Sequence, residues 1–144
     1  MSSDAQTRGN GDLGAVTDEE LCRLVQRGEV HAALHVYETA CARKGGFRPS
    51  SSNLVISLAR AALVHGRPHV AGRLLHRFDK LHPDHEAIPV AYLLTARVFM
   101  CLSKDEIAVD FLEAIRRRFP SHPAAKEARE ALENLSGAWC IAMH

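Results

Sequence analysis

The sequence predicts an all-α protein made of antiparallel helix hairpins that repeat along the chain, and three observations predict it. Ala59 is followed twelve residues on by Ala71 and twelve further by Pro83. Ala96, Ala108 and Pro120 reproduce both intervals, and Leu21 with Ala33 reproduces the first. Self-similarity at about 37 residues marks a helical repeat array, in which each helix pair buries its apolar face against the next. Apolar residues also recur at helical spacing in segment after segment. Finally, only 6% of the residues are aromatic while alanine and leucine are plentiful, which favours close-packed helices over sheets.

The elements follow in order. Met1 to Val16 is rich in Ser, Gly, Asn and Asp and poor in apolar residues, so residues 1–16 read as a disordered leader. Thr17-Asp18-Glu19-Glu20 is a capping box, with acidic residues at the positive end of the helix it opens. That helix runs to about Arg27, and Gly28 ends it. A second helix, about Glu29 to Arg43, carries Val30, Ala33, Leu34, Tyr37, Ala40 and Cys41 on one face. Gly45-Gly46 stops it, and Pro49 followed by three serines supplies turn and N-cap chemistry. The third helix spans about Ser52 to His65 and breaks at Gly66. Pro68 suits the first turn of the fourth, where its missing N–H costs nothing. The apolar residues of that fourth helix, Val70, Ala71, Leu74, Leu75, Phe78 and Leu81, predict one unbroken helix up to Pro83.

His82-Pro83-Asp84-His85 is a turn. A fifth helix runs from about Ile88-Pro89 to Leu102, and Ser103-Lys104-Asp105 is a short turn. The sixth helix carries Ile107, Ala108, Phe111, Leu112, Ile115 and Phe119 and ends at Pro120. Pro123 opens a seventh, expected to end at Leu135 before Ser136-Gly137. Its apolar stripe, Ala124, Ala128, Leu132 and Leu135, backs onto a charged face of Lys126, Glu127, Arg129, Glu130 and Glu133, as suits a terminal cap. Residues 136–144 form a short tail with Trp139, Cys140, Ile141 and Met143, which either tucks back onto the last helix pair or frays.

The whole is 144 residues, enough for one domain with a sizeable core, here residues 17–135. A net charge of +1 supplies no bulk attraction to nucleic acid or anionic lipid. No apolar run approaches the roughly 20 residues a membrane helix needs. The four cysteines, at 22, 41, 101 and 140, form no CxxC pair and follow no secretory segment, so they read as reduced thiols in a reducing, cytoplasmic setting.

The pattern resembles the tetratricopeptide repeat, whose helix–turn–helix units are about 34 residues long. The second unit matches as Val55, Leu58-Ala59, Ala62, Gly66, Ala71, Leu75 and Pro83. The third matches as Tyr92, Thr95-Ala96, Phe99, Ala108, Leu112 and Pro120. The first is degenerate: Leu21, Leu24, Gly28, Ala33, Tyr37 and Ala40, with no proline at the expected place and Pro49 after a lengthened loop. The resemblance implies about three such units stacked as a short right-handed α-solenoid, closed by a C-terminal capping helix. The small residues have a physical reason: Ala59 with Ala71, and Ala96 with Ala108, would lie where the helices of a unit cross at about 8–10 Å.

In that family the first helices of the units line a concave groove that holds an extended peptide or a partner helix. The resemblance assigns Asn53, Ile56, Ser57, Arg60, Leu63 and Val64 to the groove from the second unit. It assigns Val90, Leu93, Leu94, Arg97, Met100 and Cys101 from the third, with Cys22, Val25 and Gln26 continuing it in the first. Arg60 and Arg97 hold the same place in adjacent units and should stack as a small guanidinium ladder, each able to bind a carboxylate through two hydrogen bonds. An apolar floor with two cations suits an acidic or amphipathic segment. The alternative is that both arginines pair within the chain and the apolar residues are core between units.

Other chemistries find little support. His31 and His35 are four apart on a helix and His82 and His85 flank a turn, but two ligands do not make a metal site. Cys101 lies near the groove without a signature of thiolate catalysis. There is no phosphate loop, no GxSxG and no paired carboxylates in an apolar setting. Arg116-Arg117-Arg118 sits on the last turn of a helix, where cations meet the negative dipole end. The expected function is therefore a non-catalytic protein-interaction module or scaffold, without metal or cofactor, binding a peptide or helix of another protein. The competing expectations are a self-assembling homo-oligomer module and a Cys/His metal-binding protein.

Overall fold

The computed structural model describes residues 18–43, 47–83 and 85–142. The leader, the Thr17 half of the capping box, Gly45-Gly46 and Asp84 lie outside them. All regular structure among the described residues is helical: α1 Asp18–Gln26, α2 Val30–Cys41, α3 Ser52–Val64, α4 Pro68–Leu75, α5 Phe78–Leu81, α6 Ile88–Cys101, α7 Asp105–Arg118 and α8 Pro123–Ala142. None is long and apolar enough to cross a membrane.

Three helix ends share one device. After α1, the Gly28 amide donates to Val25 and the Glu29 amide to Leu24. After α3, Gly66 donates to Leu63 and Arg67 to Ala62; after α6, Ser103 donates to Met100 and Lys104 to Phe99. This is the Schellman arrangement, and it needs a left-handed residue just past the helix. Gly28 has φ +80, Gly66 has φ +73, and Ser103 takes the same role at φ 62. In each case the next helix then begins within two residues, so α1 and α2, α3 and α4, and α6 and α7 are tight hairpins.

The packing couples these hairpins. Within them α1 meets α2, α3 meets α4 and α6 meets α7. Between them α2 packs on α3 and α4 on α6, while α1 touches α3, α3 touches α6, and α6 touches α8. The residues that mark the repeat, Leu21, Ala33, Ala59, Ala71, Ala96 and Ala108, are all fully buried. Around them a continuous core includes Leu34, Tyr37, Leu58, Leu94, Leu112 and Ile115.

Two helix boundaries differ from expectation. The fourth helix is not continuous: it stops at Leu75, turns through His76 and Arg77, and resumes as α5. Arg77 is left-handed at φ 60, ψ 25. The turn lets Phe78 enter the core at 4% exposure, against the rings of His82 and His85, while Leu81, which a straight helix would bury, is 49% exposed. The carbonyl freed at His76 accepts a bond from Arg48 Nη1 at 3.2 Å. The last helix, expected to end before Ser136-Gly137, continues to Ala142. A glycine weakens a helix interior by only about 1 kcal/mol, and no proline follows to stop it.

The N-terminal ends of α1, α3 and α6 are stitched by polar side chains. The Asp18 carboxylate accepts bonds from the Ser50 and Ser51 amides and the Ser50 hydroxyl. Ser51 Oγ caps α3 by accepting from the Leu54 amide. Asp18 therefore anchors the start of the second hairpin as well as standing at the positive end of its own helix.

Candidate functional site

The expected groove residues divide by their place on α3 and α6. On α3, Asn53, Ser57, Arg60 and Val64 form one exposed stripe, with Val64 75% exposed, and Ile56 and Leu63 flank it half-buried against the core. On α6, Arg97 and Cys101 are exposed, and Val90 and Met100 are half-buried. Leu93 and Leu94 are a correction. They are 5% and 1% exposed and belong to the core, so they cannot line a groove. The reason is the position of α6, which packs against α3, α4, α5, α7 and α8 and has little circumference left for solvent. From α1, Cys22 and Val25 are half-buried against the core and Gln26 is exposed.

What remains is a narrow polar stripe with limited apolar flanks. Its cations are available. The ion pairs among the described residues are Arg27–Glu29, Arg67–Glu38 and Arg116–Glu113, so neither Arg60 nor Arg97 has an acidic partner there. They occupy corresponding positions on two helices that pack together.

A second feature lies on the opposite side of α6, and the sequence reading missed it. A cavity of about 240 Å³ is lined from α4, the α4–α5 break, α5, α6 and α7. Its walls are Leu75, Phe78, Ala91, Tyr92, Val98, Phe99 and Phe111, and Gly72, His76, Arg77, Asp79 and Thr95 complete it. Phe99 and Phe111 stack at 6.0 Å, and Tyr92 meets Phe111 edge-on at 5.6 Å. The Tyr92 hydroxyl donates to Asp79 Oδ2 at 2.9 Å and accepts from Arg118 Nη1 at 2.9 Å. The Arg118 guanidinium also lies 5.6 Å from the Tyr92 ring centre and 5.1 Å from that of Phe119. Burial raises the Tyr92 pKa first, and the Asp79 carboxylate, which accepts its proton, raises it further. Burial likewise pushes the Tyr37 hydroxyl well above the ordinary tyrosine range, with Cys41 adding to the shift. A signal existed in the sequence: Gly72 sits inside a helix at no positive φ, so its small size rather than its backbone freedom is what the position uses.

One arrangement looks catalytic by distance alone. Ser52 Oγ is 2.7 Å from His85 Nε2. A base that activates a hydroxyl needs a free lone pair on that nitrogen. Here His85 Nδ1 accepts the Ala87 amide at 2.9 Å, so the neutral ring carries its proton on Nε2 and donates to Ser52. The pair is a structural link between the starts of α3 and α6. Among the described residues no group of three or more His, Cys, Asp or Glu could hold a metal ion, and the His31 and His65 rings, 4.1 Å apart, are a contact of two exposed side chains. Cys22, Cys41 and Cys101 are free thiols.

No protein-family model, curated protein or solved structure matches the chain.

Proposed function

We propose that this protein is a short array of about three tetratricopeptide-like hairpins, closed by α8, that acts as a non-catalytic scaffold and holds an acidic segment of another protein along the exposed stripe of α3 and α6. Support for the array comes from the three equivalent hairpin turns at Gly28, Gly66 and Ser103 and from the buried alanines at matching intervals. The observation that carries the binding role is the pair Arg60 and Arg97, exposed, without ion pairs among the described residues, on consecutive first helices that pack together. Keeping two guanidinium groups on one stripe without counter-charges gives nothing to folding and gives a carboxylate-bearing partner two sites for paired hydrogen bonds. Because Leu93 and Leu94 are core, charge and hydrogen bonding carry more of the recognition than an apolar floor would.

The test is capture by the immobilised protein from its native extract. The wild type should retain a specific protein, less of it as salt rises, since exposed charge pairs are screened over about 10 Å at 0.1 M. Arg60→Glu with Arg97→Glu should lose that protein while the circular-dichroism melt stays unchanged. Equal capture by the double variant removes the stripe from consideration. Light scattering at working concentration separates this role from self-assembly, which requires a dimer or larger species without any partner.

A further inference from the structure

We infer that the cavity between α4, α6 and α7 is a binding site for a small carboxylate with a flat apolar body, such as an arylacetate. This site faces away from the stripe of Arg60 and Arg97 and stands independently of the scaffold role.

The cavity is graded from floor to rim. Leu75, Phe78, Ala91, Tyr92 and Val98 are buried, Phe99, Phe111 and Thr95 are half-buried, and His76 and Arg77 are exposed. An apolar floor with a few polar groups at its mouth is the usual composition of a small-ligand pocket. The polar groups within it are largely occupied. Thr95 Oγ1 donates to the Ala91 carbonyl at 2.7 Å, and Asp79 Oδ2 is held by the Tyr92 hydroxyl. Tyr92 already has its cation in Arg118, so the aromatic wall is not an open cage for an ammonium ligand.

The rim is different. The Arg77 side chain has no ion pair or hydrogen bond among the described residues, so its guanidinium is free at the edge of the cavity that it helps to line. Asp79 is the one carboxylate in the lining, and one of its oxygens is engaged. The free guanidinium at the mouth therefore favours an anion, and the aromatic lining of Tyr92, Phe99 and Phe111 favours an aromatic body. The backbone points the same way. Arg77 is an arginine in the left-handed region, a conformation unfavourable for a non-glycine residue, and such local strain collects at ligand clamps. The break it makes in the helix supplies part of the cavity wall.

The experiment titrates three matched probes into isotopically labelled full-length protein and follows amide chemical shifts. The probes are phenylacetate, uncharged phenylacetamide and the phenethylammonium cation. Phenylacetate should shift the amides of Arg77, Phe78, Thr95 and Phe99 with a dissociation constant on the order of 1 mM, the range a ligand of about ten heavy atoms reaches. Phenylacetamide should bind about tenfold more weakly, the worth of one charge-assisted hydrogen bond, and the cation not at all. Arg77→Gly keeps the left-handed turn and removes the guanidinium, so phenylacetate should fall to the level of the amide while the amide is unaffected. Gly72→Leu should abolish both, since a Cβ there already lies 3.4 Å from Val98 Cγ1 and a longer side chain enters the cavity. The inference is overturned by any of three results: no shift at these amides with any probe, tighter binding of the cation, or phenylacetate binding unchanged in Arg77→Gly. Shifts centred on Arg60 and Arg97 instead would also overturn it.

Discussion

Ser103→Gly should stabilise this protein, and the size of the gain can be worked out from its three hairpin turns. The residue after α1 is Gly28, after α3 it is Gly66, and after α6 it is Ser103, at φ +80, +73 and 62 respectively. A Cβ added at Gly28 or Gly66 would meet nothing within 4 Å, so at these turns the penalty for a side chain is almost wholly backbone. An L-residue in the left-handed region costs about 1–2 kcal/mol relative to glycine. Against that, glycine loses more freedom on folding, about 0.4–1 kcal/mol. Ser103 is exposed and its side chain makes no hydrogen bond among the described residues, so replacing it sacrifices little else. The net gain is about 0.5–1 kcal/mol, or roughly 2–4 °C in Tm for a domain of this size. Gly28→Ser and Gly66→Ser should lose a similar amount each. Urea unfolding followed by circular dichroism measures all three, and an unchanged m-value shows that stability alone has moved. If Ser103→Gly destabilises while Gly66→Ser is neutral, the three turns are not equivalent and the repeat built on them fails.

Two further outcomes follow from the core and the tyrosines. Ala59→Leu should cost about 1–3 kcal/mol by overpacking, and Ala71→Gly about 1 kcal/mol by helix propensity. If the two alanines face each other across α3 and α4, the double variant should be less destabilised than the two losses added, with a coupling of about 0.5 kcal/mol or more. Strict additivity would place them apart. The chain has two tyrosines, and the pKa values of both Tyr37 and Tyr92 are raised. The folded state thus keeps protons that the unfolded chain releases near pH 10. Their contribution is fully present below that pH and is lost as pH climbs through the raised folded values. Phenolate absorbance should therefore appear only above pH 10 and together with the loss of helical signal. Phenolate formed near pH 10 in a protein still folded contradicts the burial of both hydroxyls.

Much of the architecture is legible in the order of residues, because helices and tight turns are local. Apolar spacing locates α1 to α4 and α6 to α8, and Gly28, Gly66, Pro68 and Pro123 mark their ends within a residue or two. Helical spacing also places Asn53, Ser57, Arg60 and Val64 on one face of α3, where the structure exposes them. Spacing gives the angle at which a side chain leaves its helix, but not how many neighbours surround that helix. Leu93 and Leu94 show the difference: they hold the places of half-buried Ile56 and exposed Ser57 on α3, yet α6 is enclosed by five other helices and both are buried. The same limit hid the break at Arg77. An apolar stripe from Val70 to Leu81 is compatible with a straight helix, and only the position of the core decides that Phe78 turns inward and Leu81 outward. The cavity beside Tyr92 follows from that break, since it joins residues of four helices that no interval in the chain relates. Local propensity and periodicity determined the rods and their turns; the packing of each rod against all the others decided which faces remain for a partner or a ligand.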